Sequence, residues 1–122
     1  PSHFSADLEL VRWLEHKDYR YDVVTDEDLH EEGTRLLSNY RVLLTGSHPE
    51  YWTASMLGSL SGYLSGGGRL MYLGGNGFYW VTSRDEVGSH VIEVRRGWAG
   101  SRSWESMPGE VHHSMTGEPG GL

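Results

Sequence analysis

Residues Tyr40 to Trp80 read YRVLLTGSHPEYWTASMLGSLSGYLSGGGRLMYLGGNGFYW, and no other stretch limits the possible folds as sharply. An almost continuous apolar run, Arg41 to Thr45, ends at Gly46. A helical pattern with Leu57, Leu60 and Leu64 on one face follows, and Gly66 to Gly68 stop it. A second apolar run, Leu70 to Leu73, opens into Gly74-Gly75-Asn76-Gly77. Short apolar strands on either side of a helix imply a right-handed βαβ unit in a parallel sheet covered on both faces. Ser47-His48-Pro49-Glu50 has the form of a capping box, with proline in the tolerated first turn, and predicts a helix from there to about Leu64. Open sheets of this kind gather ligands outside the carboxyl ends of their strands. Tyr51 and Tyr79 fall just beyond the two predicted strands, Tyr51 in the first turn of the helix.

The flanks extend the pattern. Ser5 to His16 suits an amphipathic helix capped by Ser5, with Asp7 and Glu9 near its positive end and Leu10, Trp13 and Leu14 on one face. Tyr21 to Thr25 reads as a short strand ended by the solvated acidic run Asp26-Glu27-Asp28, and Glu31 to Leu37 as a second helix. Phe78–Ser83 and His90–Arg95 form an antiparallel hairpin about a polar turn containing Gly88, and Val111 to Met115 is one further short strand. The fold class is α/β: an open, mostly parallel Rossmann-like sheet with a C-terminal antiparallel hairpin. Residues 1-75 form its βαβ part and residues 76-122 the hairpin and glycine-rich loops of one partial domain. Such domains usually begin on a strand, so a strand upstream of Pro1 is expected. The ending Gly117-Glu118-Pro119-Gly120-Gly121-Leu122 predicts further residues beyond it.

Composition removes several classes of function. At 122 residues there is room for one domain. A net charge of −7, from 17 acidic against 10 basic side chains and without a basic run, argues against nucleic acid or an anionic membrane as partner. No apolar run approaches the roughly 20 residues of a membrane span and no signal peptide is visible, so a cytoplasmic location is the default. The absence of cysteine excludes a disulfide, a thiolate metal site and a cysteine nucleophile. His112 and His113 are adjacent, which on a strand sends them to opposite faces and disfavours a shared zinc ion. Gly74 to Gly77 lacks the lysine-serine/threonine ending of a phosphate loop.

SADLELVRWLEHKDYRYDVVTDEDL, LLTGSHPEYW, GGGRLMYLGGNGFYW, VIEVRRG and TGEPGG together resemble the C-terminal region of N,N-dimethylformamidase large subunits. The same segments are similar to the class I glutamine-amidotransferase-like α/β fold. Amidotransferase-like domains carry a cysteine on the turn after the strand matching Leu70–Leu73, where this chain has only glycines and Asn76. The resemblance implies a hydrolase that splits a small N-substituted formamide into formate and an amine. It further implies a mononuclear iron, Fe3+, held by two tyrosinates and a glutamate. The matching residues are Tyr51, Tyr79 and Glu118, with Tyr72 and Tyr40 as alternative tyrosines and Glu110 and Glu50 as alternative carboxylates. His48, Asn76, His113 and the neighbouring His112 would supply hydrogen bonds or a proton relay around the metal. Chemically the set is coherent, because hard oxygen donors suit a hard cation and a phenol with pKa near about 10 ionises readily only beside a strong Lewis acid.

The implied partners are the small amide substrate, the rest of the same large subunit, a small subunit and further copies in a homo-oligomer, with no nucleic acid and no membrane. Each nominated residue also has an ordinary reading: Tyr51 packing on its helix, Glu50 completing a cap, Glu118 solvated in a loop. A non-catalytic domain that kept the fold and binds a ligand, or docks on a larger polypeptide, is the rival function.

Overall fold

The computed structural model describes residues 3–85, 91–95 and 111–120. Helices α1 (Phe4–His16), α2 (Asp26–Glu32) and α3 (Thr34–Leu37) precede strands β1 (Val42–Leu44) and β2 (Tyr51–Thr53). Helix α4 (Ala54–Ser65) then leads to β3 (Arg69–Met71), β4 (Trp80–Arg84) and β5 (Ile92–Val94). β1 and β3 form a parallel pair, and β2, β4 and β5 form a second, mixed sheet. The architecture is thus α/β with two small sheets. The expected hairpin is present as the antiparallel β4–β5 ladder, Thr82 facing Val94 and Arg84 facing Ile92, while its turn lies outside the described residues.

The two sheets are joined by paired chains. Val42 faces Arg69 and Leu44 faces Met71 in the first ladder; Tyr51 faces Trp80 and Thr53 faces Thr82 in the second. Between them the pairing continues through Thr45 N–H to Met71 O (3.1 Å), Gly75 N–H to Ser47 O (3.1 Å), Phe78 N–H to Pro49 O (2.8 Å) and Trp80 N–H to Glu50 O (3.0 Å). The second chain gains two residues across Gly74–Gly77, where Asn76 and Phe78 take positive φ (51° and 58°). Gly74 is required there by close approach, because a Cβ would collide with the Ser47 carbonyl.

This pairing overturns the predicted capping box. Ser47 to Glu50 continue the ladder, and the helix starts only at Ala54, where Thr53 Oγ1 accepts the Met56 N–H (3.2 Å). Ser47 N–H donates instead to Asp7 Oδ1 (2.8 Å), and Glu50 Oε1 accepts the Trp80 indole N–H (3.1 Å). Of the predicted face, Leu60 is buried and Leu57 packs against the core, whereas Leu64 is exposed and Met56 and Tyr63 are buried beside Leu60.

Three further expectations change. A true capping box sits at Thr25, whose Oγ1 accepts from Asp28 N–H (3.1 Å) while Asp28 Oδ2 accepts from Thr25 N–H (2.9 Å). Asp26-Glu27-Asp28 is therefore the first turn of α2 rather than a strand end, and Tyr21–Val24 forms no ladder. Gly33, at φ 60°, breaks the predicted second helix into α2 and α3. At the amino end, α1 starts at Phe4 behind His3 without a side-chain cap and buries none of its residues. Val111–Met115 contributes only an isolated bridge, His112 to Pro119.

Helices α2, α3 and α4 cover one face of the sheets. Leu29, Leu37, Trp52, Met56, Leu60 and Tyr63 make the core, with Leu43, Leu70 and Phe78 packed against it. Leu43 and Leu70 are register partners, so their neighbours Val42 and Met71 point the other way and stay exposed. One face of β1–β3 is covered, not both.

Candidate metal and catalytic site

Tyr51 opens β2 and Tyr79 immediately precedes β4, so both sit at the amino ends of the second sheet. The loops after β1 and β3 bring both to the same end of that sheet, with Tyr51 in register with Trp80, the residue after Tyr79. This corrects the helical placement of Tyr51. Their side chains are 50% and 37% exposed, and neither phenol oxygen has a hydrogen-bond partner among the described residues. Tyr79 packs edge-on against Trp80 (4.9 Å between ring centroids, 76°). Beneath the rim, Phe78 meets Trp52 in a T-shaped contact at 4.9 Å.

The alternative ligands are otherwise engaged. Tyr72 Oη accepts the Gly77 N–H (2.9 Å) and its ring lies against Phe78, so it props the glycine segment from below. The Asp22 carboxylate, foremost, with desolvation and nearby negative charge, raises the pKa of Tyr40 and opposes its ionisation. Glu50 holds the Trp80 indole, and Glu110 lies outside the described residues.

His48, on the loop before β2, stacks on His3 at 4.0 Å and 19°, and Asn76 is exposed on the glycine segment. Both therefore flank the tyrosine rim. His113 is different: it is 2% exposed, with Nε2 2.9 Å from the Val81 carbonyl and Nδ1 2.8 Å from Ser83 Oγ. A carbonyl only accepts, which assigns the proton to Nε2 and leaves Nδ1 to accept from the serine. The ring thereby fastens residues 111–120 to β4.

Glu118 belongs to that fastened loop. Its carbonyl accepts the His113 N–H (2.9 Å), and Gly117 N–H donates to His113 O (2.8 Å). A second anchor, missed in the sequence, is Glu93 on β5. Its carboxylate accepts from Ser114 N–H (2.9 Å), Ser114 Oγ (2.8 Å), Met115 N–H (3.1 Å) and Arg95 Nε (2.7 Å). The Ser114 N–H foremost, with Arg95 and the remaining donors, holds its pKa down to about 2. Glu93 was illegible in advance because Ser114 and Met115 lie some twenty residues further along the chain and no local pattern ties them to it. The structure thus places Tyr51, Tyr79, Asn76 and His48 on the segments that lead into β2 and β4, and ties the Glu118 loop to β4 and β5. No cluster of three histidine, aspartate or glutamate side chains able to hold a metal occurs among the described residues. No helix among the described residues is long and apolar enough to cross a membrane.

Beside the rim, a cleft of about 250 Å³ is lined by Asp7, Val24, Thr25, Asp26, Leu29, Leu43, Leu44, Thr45, Gly46, His48, Pro49 and Trp52.

A family model described as N,N-dimethylformamidase beta subunit-like, C-terminal, matches residues 1–122. The N,N-dimethylformamidase beta subunit of Paracoccus aminophilus is 48% identical over 116 residues, which cover 95% of this chain and 15% of that protein. The protein of the same name from an Alcaligenes species is 47% identical over the same length and shares. The chain therefore spans about 15% of the length of the curated relatives it matches.

Proposed function

The chain belongs to the family of N,N-dimethylformamidase beta subunit-like C-terminal regions, and from that membership we propose that it forms part of a metal-dependent amide hydrolase. The substrate class is a small N-substituted formamide or related amide, cleaved by water to an acid and an amine. A glutamine-amidotransferase-like arrangement of the wider sheet, assembly with the rest of a β subunit and with a second kind of subunit, a homo-oligomeric state and a cytoplasmic location belong to the same proposal.

The observation that carries the site is the pair of unpartnered, exposed phenols at adjoining strand starts, Tyr51 and Tyr79. They fit an Fe3+ ion in donor chemistry, since both are hard oxygen ligands and neither phenol oxygen has a hydrogen-bond partner among the described residues. Glu118 is the third ligand of the proposal, supplied by the loop that His113 and Glu93 anchor. When bound, Fe3+ supplies Lewis acidity toward an amide carbonyl and a water molecule. The chain's own part is positional. Trp80, held by Glu50, walls one side of Tyr79, and Tyr72 fixes the glycine segment that carries Asn76. The Asn76 amide can orient a carbonyl or amine group, and His48 stands on the adjoining loop to accept or return a proton. His113, with both nitrogens engaged, acts by holding the Glu118 loop.

The test is iron content, the visible spectrum and amidase turnover of the β-subunit polypeptide that carries this region. About one iron per chain, with a tyrosinate charge-transfer band that Tyr51→Phe and Tyr79→Phe each abolish, is the expected result. Full turnover and unchanged iron in both variants would refute the ligand set.

A further inference from the structure

Among the described residues, β1 is paired on one edge only. Thr45 N–H points to Met71 O, so by strand alternation the peptide groups of Val42 and Leu44 point the opposite way. No strand among the described residues meets them there. Tyr21–Thr25, which has a strand's composition yet no ladder and whose Val23 is 76% exposed, comes near β1 across the cleft lined by its last two residues. At one end the Asp22 carboxylate acts on the Tyr40 phenol, raising its pKa. At the other, Val24 and Thr25 share the 250 Å³ cleft with Leu43, Leu44 and Thr45. They consequently run in the same direction with a gap between them, floored by Leu29 and Trp52.

We propose that this gap is a strand acceptor: an extended, apolar segment inserts parallel to β1 between Tyr21–Thr25 and Val42–Leu44, and joins them with β3 into one sheet. Physical need and fit both favour it. A parallel sheet with an open edge beside its core is uncommon, because parallel sheets are wide and buried. An inserted strand would find unpaired peptide groups on the β1 side and extended backbone on the other. Its side chains toward Leu29 and Trp52 must be apolar, while its leading end emerges beside Asp7 and His48, next to the tyrosine rim. The occupant is a segment of the same β-subunit polypeptide outside this region, since the chain matches a C-terminal family and spans 15% of its relatives. This identity rests on the family membership and is independent of the iron ligands.

Amide hydrogen exchange on unsubstituted protein tests it, followed at Val42 and Leu44 in the 122-residue chain and in a full-length β-subunit polypeptide. Rapid exchange in the chain alone, slowed by about 100-fold or more in the longer polypeptide, is expected. Equal, rapid exchange in both would show that nothing inserts and overturn the proposal. Protection already present in the dilute chain would mean the gap is closed from within, and overturn it too. Protection that rises with concentration of the chain alone would assign the gap to a second copy and likewise overturn it. Iron and turnover do not enter the readout, so failure here is distinct from failure of the ligand set.

Discussion

Substituting Thr53→Ala isolates the interaction that decides where α4 begins. Thr53 is 5% exposed, and its Oγ accepts the Met56 N–H (3.2 Å) while lying 2.8 Å from His30 Nδ1. Loss of an N-cap costs about 1 kcal/mol, and loss of the second hydrogen bond, which leaves a half-buried imidazole nitrogen unmet, adds about 1 kcal/mol. The total of about 2 kcal/mol corresponds to a fall in Tm of about 8 °C in a domain of this size. Thr53→Ser keeps the oxygen and restores most of the loss. Ser47→Ala is the control: its hydroxyl is buried without a partner, so its removal stays within about 0.5 kcal/mol. Urea unfolding followed by tryptophan fluorescence, with the buried Trp52 as the principal reporter, measures all three. If Ser47→Ala proved as costly as Thr53→Ala, or Thr53→Ala proved neutral, the helix would start at the Ser47 box and the ladder reading would be wrong.

Gly74→Ala drives a methyl into the Ser47 carbonyl, a backbone atom that cannot step aside, and is expected to cost about 2 kcal/mol or more in the same assay. His113→Ala strips the Val81 carbonyl and Ser83 hydroxyl of their buried partner, costing about 2–4 kcal/mol and exposing 111–120 to limited proteolysis. Glu93 has a folded pKa of about 2 against an ordinary 4.5, so its carboxylate favours the folded state at higher pH and that contribution fades as pH falls from 4.5 through about 2. Glu93→Gln should flatten this acid limb of a Tm–pH profile. Tyr51→Phe and Tyr79→Phe remove exposed, unpartnered hydroxyls and should leave Tm within about 2 °C even where they abolish metal binding.

The apolar runs at 41–45 and 70–73, the glycine stop at 66–68 and the β4–β5 hairpin were legible because each is a local pattern with one dominant outcome. The capping boxes were not. Ser47-His48-Pro49-Glu50 satisfies the pattern, but Phe78 and Trp80, some thirty residues on, claim the same carbonyls and carboxylate for the ladder. Thr25-Asp26-Glu27-Asp28 satisfies it as well, yet the valines ahead of it read as a strand, a choice only a pairing partner could settle. At the candidate site, type and position of Tyr51 and Tyr79 came from the resemblance to a family. Their shared rim came from a register that no single-chain pattern encodes. His113 read as a chemical group and is a fastener, since burial and the Val81 carbonyl are tertiary facts.

The two added residues across Gly74–Gly77 carry a rule about length. A pleated chain changes face at every residue, so a gain of two returns each downstream side chain to the side it would have occupied anyway. Trp52 and Val81 keep a common face, and Thr82 and Ser83 remain inside. A single insertion or deletion in this segment would instead invert all of β4, turning Trp80 and Thr82 to the Trp52 face and Val81 and Ser83 away from it, and releasing the loop bound at Ser83. In relatives whose glycine segment differs in length, differences in even steps are the ones this sheet can absorb.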